Sequence, residues 1–494
     1  MSEADPTDSP KSSPATEETQ LVRGLTPFHT ISLVVGAVIG TGVFLKAAIM
    51  AQTLGSPVLV LSAWVVAGML SLAGALTYGE LAALLPRVGG DYVYLREAYG
   101  NGPAFLYGWM RFVVASSGSI ASLAVGFATF LSALLPLNQV WVTHVYRVYG
   151  QTLTWQFGSQ QVLAVAVIVF FSAVNCRGVV LVGKIQSFMT VLKLAGIAVI
   201  IGGVFLLSKT ATIAHLAAPA GARPWPGFAS FGTAMLAALW AYDSWNQAPM
   251  VASEVRQPER TLPFALAAGM VIVLLTYVVA NFSYFYAMPF SEVVHANSTL
   301  YRTAPPVAAK AAQTFLGTYG AKFVSIVFVV STLGALNGSV LTFARVPYAM
   351  ARDGLFFGWF RQVSRSAHVP VVSVTMQGIW ASVLAVSGTY DQLTDYVVFA
   401  SWIFYALAAS SVFVLRRKMP RATRPFRTPG YPVLPAVLLL VAGWLVWNTI
   451  HTRPLESTVG LGLIVSGIPL YLYFRGHNRN NQANLSDGKH WSGM

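Results

Sequence analysis

Two short stretches of this chain interrupt apolar segments that are long enough to cross a membrane. The first, residues 36–42, holds three glycines in seven residues, and each glycine costs about 1 kcal/mol relative to alanine inside a helix. The second, residues 240–246, contains the carboxylate of Asp243, and one charge in mid-membrane costs about 3 kcal/mol. Non-helical backbone at that depth persists only where it is buried in protein or lines a cavity. The two breaks, one in each half of the chain, therefore predict a binding site between discontinuous helices.

The ends of an interrupted helix carry complementary partial charges. Where the helix restarts, its first N–H groups have no intrahelical partner, so those around Thr41 and Gly42, with the Thr41 hydroxyl, can hold a carboxylate. Where a helix stops, its free carbonyl groups can hold an ammonium group. The residues placed for this second role are Val38, Ile39, Trp240 and Asp243. Together the breaks predict a socket for a zwitterion; the alternative is that the glycines only let neighbouring helices pack closely.

Three side chains in the apolar segments have functional as well as structural interpretations. Trp240 is either a ring that closes over the bound molecule or a packing residue, and its place at the break favours the gate. Lys193 lies inside an apolar segment, where a lysine is costly. Its ammonium group either occupies the place of a sodium ion, exchanges a proton, or pairs with backbone carbonyl groups. Asp243 either binds the cationic side chain of a substrate or caps the broken helix.

Composition places the chain among all-α membrane proteins. Hydrophobic residues make up 55% of its 494 residues and charged residues 10%, whereas a soluble domain carries about 25% charged residues. The net charge of +14 does not indicate nucleic acid, because the densest basic cluster, residues 416–427, falls in a loop that the positive-inside rule places in the cytoplasm. The single cysteine, Cys176, excludes an internal disulfide and a thiolate metal cluster. No paired acid/base set or metal-ligand motif accompanies the breaks, so we expect no enzyme, no metal and no cofactor.

Twelve apolar segments are long enough to span a bilayer, which requires about 20 residues each. They lie near 28–50, 56–80, 103–136, 156–175, 185–207, 228–252, 263–288, 320–350, 370–388, 393–415, 431–449 and 456–474. Lys46 and Arg111 also fall within spans, but both are close enough to an end to extend toward water, and they receive no role. We predict a disordered cytoplasmic tail at 1–24, one transporter domain at 25–475, and a second cytoplasmic tail at 476–494.

The order of several motifs resembles the amino acid–polyamine–organocation superfamily, and within it the L-type amino acid transporter branch. The matching segments are residues 35–44, 78–81, 86–92, 239–246, 260–263 and 345–354. The resemblance implies the LeuT-type fold: inverted repeats of five helices each at about 25–208 and 226–418, two further helices at about 430–475, and discontinuous helices 1 and 6.

The resemblance also assigns roles to individual residues. Thr41 and Gly42, beside Gly40, match the positions that bind the substrate carboxylate. The carbonyl groups of the other break residues, Val38, Trp240 and Asp243, match those that bind the amino group, with Ala241 between them. Trp240 corresponds to the aromatic gate, Lys193 to a lysine that stands in for sodium, and Asn246 to a polar position beside the pocket.

The function implied is sodium-independent exchange of neutral and cationic L-amino acids by alternating access. Proton-coupled import on the same fold and a non-transporting receptor remain as alternatives. Animal members of the branch join a single-span glycoprotein through a cysteine between spans 3 and 4. Residues 137–155 contain no cysteine, so no disulfide-linked heavy chain is expected, and a bacterial inner membrane is the expected location.

Overall fold

The first half of the chain consists of helices and one hairpin. The computed structural model describes residues 20–148, 151–217, 225–301, 303–387, 390–452 and 454–486. The helices up to residue 217 are α1 (Pro27–Val38), α2 (Gly42–Leu54), α3 (Pro57–Leu84), α4 (Asp91–Tyr99), α5 (Asn101–Met110), α6 (Ser116–Ser132), α7 (Ser159–Asn175) and α8 (Val179–Leu207). A π-helical turn at Arg111–Ala115 joins α5 to α6 without a break.

The regular elements in the described residues of the second half are all helices. Its α-helices are α9 (Phe228–Ala241), α10 (Pro258–Ala287), α11 (Phe290–Val294), α12 (Val307–Leu316), α13 (Tyr319–Phe343), α14 (Arg345–Arg352), α15 (Val371–Ser387), α16 (Tyr390–Lys418), α17 (Val433–Thr452), α18 (Pro454–Val465) and α19 (Gly467–Ser486). Short 3₁₀ helices occupy Ile213–Leu216, Trp245–Glu254 and Gly358–Arg361.

A two-stranded antiparallel hairpin lies between α6 and α7, where the sequence indicated only a loop. Its strands are β1 (Val140–Val148) and β2 (Gln151–Gly158). The indole Nε1 of Trp155 donates to the carbonyl oxygen of Val386 at 2.8 Å, which fastens the hairpin to the end of α15. The all-α prediction therefore describes the bundle but misses this sheet.

Among the described residues, eight helical segments are long and apolar enough to cross a membrane, and α7 and α15 are apolar helices of shorter length. Each of the twelve predicted segments falls on one or more of the helices above. The count of twelve spans and the inverted repeat stay predictions. The predicted tail at 1–24 lies mostly outside the described residues, whereas at the other end α19 continues helically to Ser486.

The interrupted helices lie inside the bundle. α1 packs against α8, α10 and α13, and α2 packs against α9. Most residues of α1 are buried, whereas the apolar side chains of α8 and α10 that point outward are exposed in the absence of lipid. The breaks are consequently surrounded by protein, as non-helical backbone at membrane depth requires.

Candidate functional site

The first break separates α1 from α2. Ile39 leaves the helical region at φ −74° and ψ 87°, and α2 begins at Gly42. The first N–H groups of α2 have no partner within that helix. A Cβ atom added to Gly42 would lie 2.8 Å from the Cα atom of Ala241 and closer still to its Cβ atom. Glycine is thus required here because the two breaks touch at this point.

The second break follows Ala241 at the end of α9. Tyr242 ends the helix, and Ser244 adopts a left-handed conformation with φ of 82°, which costs a non-glycine residue about 1–3 kcal/mol. The chain continues in 3₁₀ conformation over Trp245–Glu254, with Pro249 inside the segment and a kink at Val251, where φ is −100° and ψ is 20°. The sequence predicted the interruption. It did not predict that the chain after the break would adopt 3₁₀ conformation in place of an α-helix.

The two breaks are tied to each other by a tyrosine. The hydroxyl of Tyr277 on α10 lies 2.9 Å from the carbonyl oxygens of both Val38 and Ala241 and shares its proton between them. Tyr277 is fully buried. The sequence did not single out Tyr277, because a tyrosine in an apolar helix gives no indication of which backbone groups it contacts.

Lys193 binds the first break from the opposite side. Its ammonium group donates to the carbonyl oxygens of Gly36 at 2.9 Å, Ile39 at 2.7 Å and Ser331 at 2.9 Å. The hydroxyl of Ser331 on α13 adds bonds to the carbonyl oxygens of Ile39 at 2.9 Å and Gly40 at 3.0 Å. All three ammonium protons are therefore used, and a single cation links α8, the break in α1, and α13.

A small cavity of about 70 Å³ lies between the breaks. Seven of the predicted binding residues line it: Val38, Gly40, Thr41, Gly42, Trp240, Ala241 and Asp243. The remaining lining residues, which the sequence did not single out, are Ala37, Ser119, Ser122, Leu123, Ser244 and Ser339. Apart from Asp243 the polar lining is hydroxylic, and among the described residues no cationic side chain lines the cavity.

Three predicted site residues, Ile39, Lys193 and Asn246, lie outside the cavity lining. The carbonyl group of Ile39 faces Lys193 and Ser331, as described above. Asn246 is buried and donates through Nδ2 to the carboxylate of Asp91 at 2.7 Å. The Tyr107 hydroxyl donates to the same Asp91 oxygen at 2.9 Å. Asn246 thus connects the second break to the start of α4.

Trp240 combines a place in the lining with a cation contact. The ammonium nitrogen of Lys46 on α2 lies 4.3 Å from the centroid of the Trp240 ring, within the range of a cation–π interaction. Both side chains are half-buried. Lys46, which the sequence left without a role, therefore holds the ring that we predict to be the gate.

The chain just before α1 contacts the end of the 3₁₀ segment that follows the second break. The Leu25 N–H donates to the carbonyl oxygen of Glu254 at 2.9 Å, and the Arg256 N–H donates to the carbonyl oxygen of Leu25 at 2.9 Å. Beside this contact, Arg345 forms two hydrogen bonds to the carboxylate of Glu254, at 2.7 and 2.9 Å, and both side chains are fully buried. These contacts join the chain before α1 to the end of the 3₁₀ segment that follows the second break.

Comparison with known proteins decides the family. The sequence profile described as amino acid permease matches residues 25–471. The chain belongs to this family. The serine/threonine exchanger SteT of Bacillus subtilis (strain 168) is 30% identical to it over 458 residues, covering 92% of this chain and 98% of that protein.

Two human relatives match over a similar length. The b(0,+)-type amino acid transporter 1 is 30% identical over 470 residues, covering 94% of this chain and 89% of the relative. The cystine/glutamate transporter is 28% identical over 465 residues, covering 94% and 87%. The predicted membership of the amino acid–polyamine–organocation superfamily is confirmed. This permease is an integral membrane protein of amino acid transport and not an enzyme.

Proposed function

We propose that this permease is a sodium-independent exchanger of L-amino acids that works by alternating access. The observation that carries the proposal is Lys193, whose ammonium group contacts carbonyl oxygens of both α1 and α13. Without Lys193, a bound cation would be needed to hold α1 and α13 together at the break. Because the lysine is covalently fixed and its donors are all used, the protein needs no sodium ion there.

The cavity supports a zwitterionic substrate. The N–H groups at the start of α2 are suited to a carboxylate, and the carbonyl groups at the ends of α1 and α9 are suited to an ammonium group. Trp240 lines the cavity and would close it. The hydroxylic lining favours small neutral amino acids, in keeping with the name of the serine/threonine exchanger. The cationic substrates predicted from Asp243 are the second class of substrate.

The fold, membrane location and partners that we propose are those expected from the sequence. We propose the LeuT-type arrangement of inverted repeats, a bacterial inner membrane location with both termini in the cytoplasm, and transport without a heavy chain. Proton-coupled import is the alternative mechanism. A receptor without transport has no support from the relatives, which are named as exchangers or transporters.

Uptake into liposomes tests the proposal. The purified protein is reconstituted into vesicles loaded with unlabelled alanine, and uptake of labelled alanine is measured in sodium or in potassium buffer. We expect the same initial rate in both buffers. Uptake that depends on sodium would contradict the role of Lys193, and a complete absence of alanine exchange would contradict the proposed function.

A further inference from the structure

A second cavity, of about 850 Å³, lies away from the breaks and between α7 and α15. Its volume falls within the range of about 300–1,000 Å³ that is typical of pockets for small organic ligands. One wall follows α7 from Val165 to Ala173, and the other follows α15 from Thr375 to Ser387. The two helices pack against each other, so the cavity is a groove along their contact, and we call it the α7–α15 groove.

The α7–α15 groove opens toward the side of the bundle that lipid would cover. Val169, Ile379 and Val383 line it, and their exposed fractions are 57%, 53% and 49%. Because α7 and α15 are apolar helices on the predicted spans at 156–175 and 370–388, we expect these side chains to contact hydrocarbon in a bilayer.

The length of the groove suits a lipid acyl chain. At about 1.5 Å per residue, the wall from Thr375 to Ser387 is about 18 Å long. One leaflet supplies about half of a hydrocarbon core that is about 30 Å thick. A chain from one leaflet can therefore lie along the whole groove.

The two ends of the groove differ. Trp155 and Val386 line one end, where the indole of Trp155 is bonded to the carbonyl oxygen of Val386. Cys176 and Thr375 line the other end. In the proposed orientation, with both termini in the cytoplasm, the end at Cys176 and Thr375 lies at the cytoplasmic leaflet.

Two exposed arginines flank the cytoplasmic end, one from each wall. Arg177 directly follows Cys176, and Arg365 lies in the segment that precedes α15. The segments that carry them are in contact, because a Cβ atom added to Gly178 would lie 3.7 Å from the carbonyl oxygen of Ala367. The two arginines are consequently placed to act on one headgroup.

The charge at this end is suited to an anion. Residues 159–207 and 355–389 contain no acidic residue, so neither wall supplies a carboxylate to neutralise the arginines. Guanidinium groups bind phosphate through paired hydrogen bonds. Basic pockets between membrane helices on the cytoplasmic side are suited to anionic lipid headgroups.

We propose that the α7–α15 groove is a binding site for an anionic phospholipid of the cytoplasmic leaflet. One acyl chain lies between α7 and α15, and the phosphate group contacts Arg177 and Arg365. The site is separate from the cavity between the breaks and does not depend on the proposed exchange function.

Lipid binding to the purified full-length protein tests the headgroup contact. Phosphatidylglycerol or phosphatidylcholine with the same acyl chains is titrated in detergent, and bound lipid is counted by native mass spectrometry. We expect phosphatidylglycerol to half-saturate the wild type at a concentration at least about tenfold lower than phosphatidylcholine. The double variant Arg177→Gln with Arg365→Gln should lose this preference. The control, Lys209→Gln with Lys322→Gln, removes two exposed charges elsewhere and should keep it.

A second pair of variants tests the acyl chain. Ala173→Phe places a ring in the groove, and phosphatidylglycerol should then half-saturate at a concentration at least about tenfold higher. Ala198→Phe, at an exposed alanine of α8 outside the groove, should bind as the wild type does. Val383→Trp fills the groove from α15 and should repeat the effect of Ala173→Phe, which keeps the test decisive if one variant fails to fold.

Three results would overturn the proposal. The first is equal binding of the two lipids by the wild type, and the second is an unchanged preference in the double arginine variant. The third is unchanged lipid binding in the groove-filling variants, including a case in which they alter only the oligomeric state, since the groove would then be an interface between copies. Failure to exchange alanine would contradict the proposed function and would leave these lipid measurements unaffected.

Discussion

Lys193 shows how a single buried cation can hold a broken helix. An ammonium group inside a bundle is acceptable only when its donors are satisfied, and Lys193 meets three carbonyl oxygens within 2.9 Å. Two of those oxygens belong to the break in α1 and one belongs to α13. Movement of α1 relative to α13 must therefore break charge-assisted hydrogen bonds, which are stronger than neutral ones.

Replacing Lys193 should stop exchange without unfolding the protein. In Lys193→Ala the carbonyl oxygens of Gly36, Ile39 and Ser331 lose a charged donor, at a cost of about 1–3 kcal/mol each before water compensates. We expect the initial rate of alanine exchange to fall at least about tenfold, measured in alanine-loaded liposomes. The control is Lys322→Ala, since Lys322 is an exposed lysine on α13. Equal exchange by both variants would show that Lys193 is only structural.

We expect Asp91 to make the stability of the protein depend on pH. It lies on α4, between the spanning helices α3 and α5, and burial raises the pKa of this carboxyl from 3.8 to about 6 although Arg111 opposes the change. A raised pKa means that the neutral form is favoured in the folded state. The stability that this group contributes is present below pH 4 and is lost as pH rises through 6.

Substitution of Asp91 should remove that dependence. Between pH 4 and pH 7 the wild type should lose about 3 kcal/mol relative to Asp91→Asn, as a pKa difference of about two implies. The measurement is the melting temperature of both proteins in detergent across this range. Parallel curves for the two proteins would contradict the assignment.

At the scale of single residues, the sequence identified the groups that are costly in a membrane. Lys193 and Asp243 stood out because a charge in an apolar segment requires a reason. Tyr277 and Ser331 did not, since hydroxyl groups are common in membrane helices. Their partners are set by helix packing, which brings together residues far apart in the sequence.

At the scale of elements, the site depends on the close approach of two interrupted helices. The start of α2 and the end of α9 touch at Gly42 and Ala241. Packing this tight leaves no room for an added methyl group, and overpacking in a well-packed interior costs about 1–3 kcal/mol. The cavity between the breaks changes shape with any separation of the two helices.

Gly42→Ala should therefore impair exchange. The added Cβ atom would overlap Ala241 and push the breaks apart, and we expect the alanine exchange rate to fall at least about tenfold. The matched control is Gly202→Ala on α8, because nothing lies within 4 Å of the Cβ atom that would be added there. An unimpaired Gly42→Ala protein would show that the breaks do not need this contact.

The fully buried ion pair of Arg345 with Glu254 should contribute strongly to the stability of the surrounding fold. In Glu254→Gln the fully buried Arg345 loses its charge partner, and removal of one member of such a pair costs about 3–5 kcal/mol. The exposed pair of Glu292 with Lys310, at 2.7 Å, is the control, since exposed pairs contribute about 0–1 kcal/mol. Melting temperatures should fall strongly for Glu254→Gln and little for Glu292→Gln. Similar small changes in both would contradict the account.

The boundaries of a helix or strand could be predicted where the length of an apolar segment sets them. They could not be predicted where tertiary contacts set them. The breaks at 36–42 and 240–246 were found because glycine and charge disfavour a membrane helix. The hairpin of β1 and β2 was missed, because its two short strands are held to the bundle by contacts such as that of Trp155 with Val386. The 3₁₀ form of Trp245–Glu254 likewise depends on its packing.

At the scale of the whole molecule, a small cavity lies between the two breaks, and Leu25 is bonded to the chain at Glu254 and Arg256. Under the proposed alternating access, we expect these backbone bonds to break in one state of the transport cycle. The sequence alone predicted membrane class, family and a site at the breaks, but it did not predict which segments such backbone bonds would join.

Amino acid exchange is the central claim, and one measurement tests it most directly. Liposomes that contain the protein are loaded with unlabelled alanine or with buffer alone, and uptake of labelled alanine is followed with and without an acidic exterior. We predict uptake only into the alanine-loaded vesicles, at a rate that ignores the pH gradient. Uptake into empty vesicles driven by the acidic exterior would contradict exchange and establish proton-coupled import.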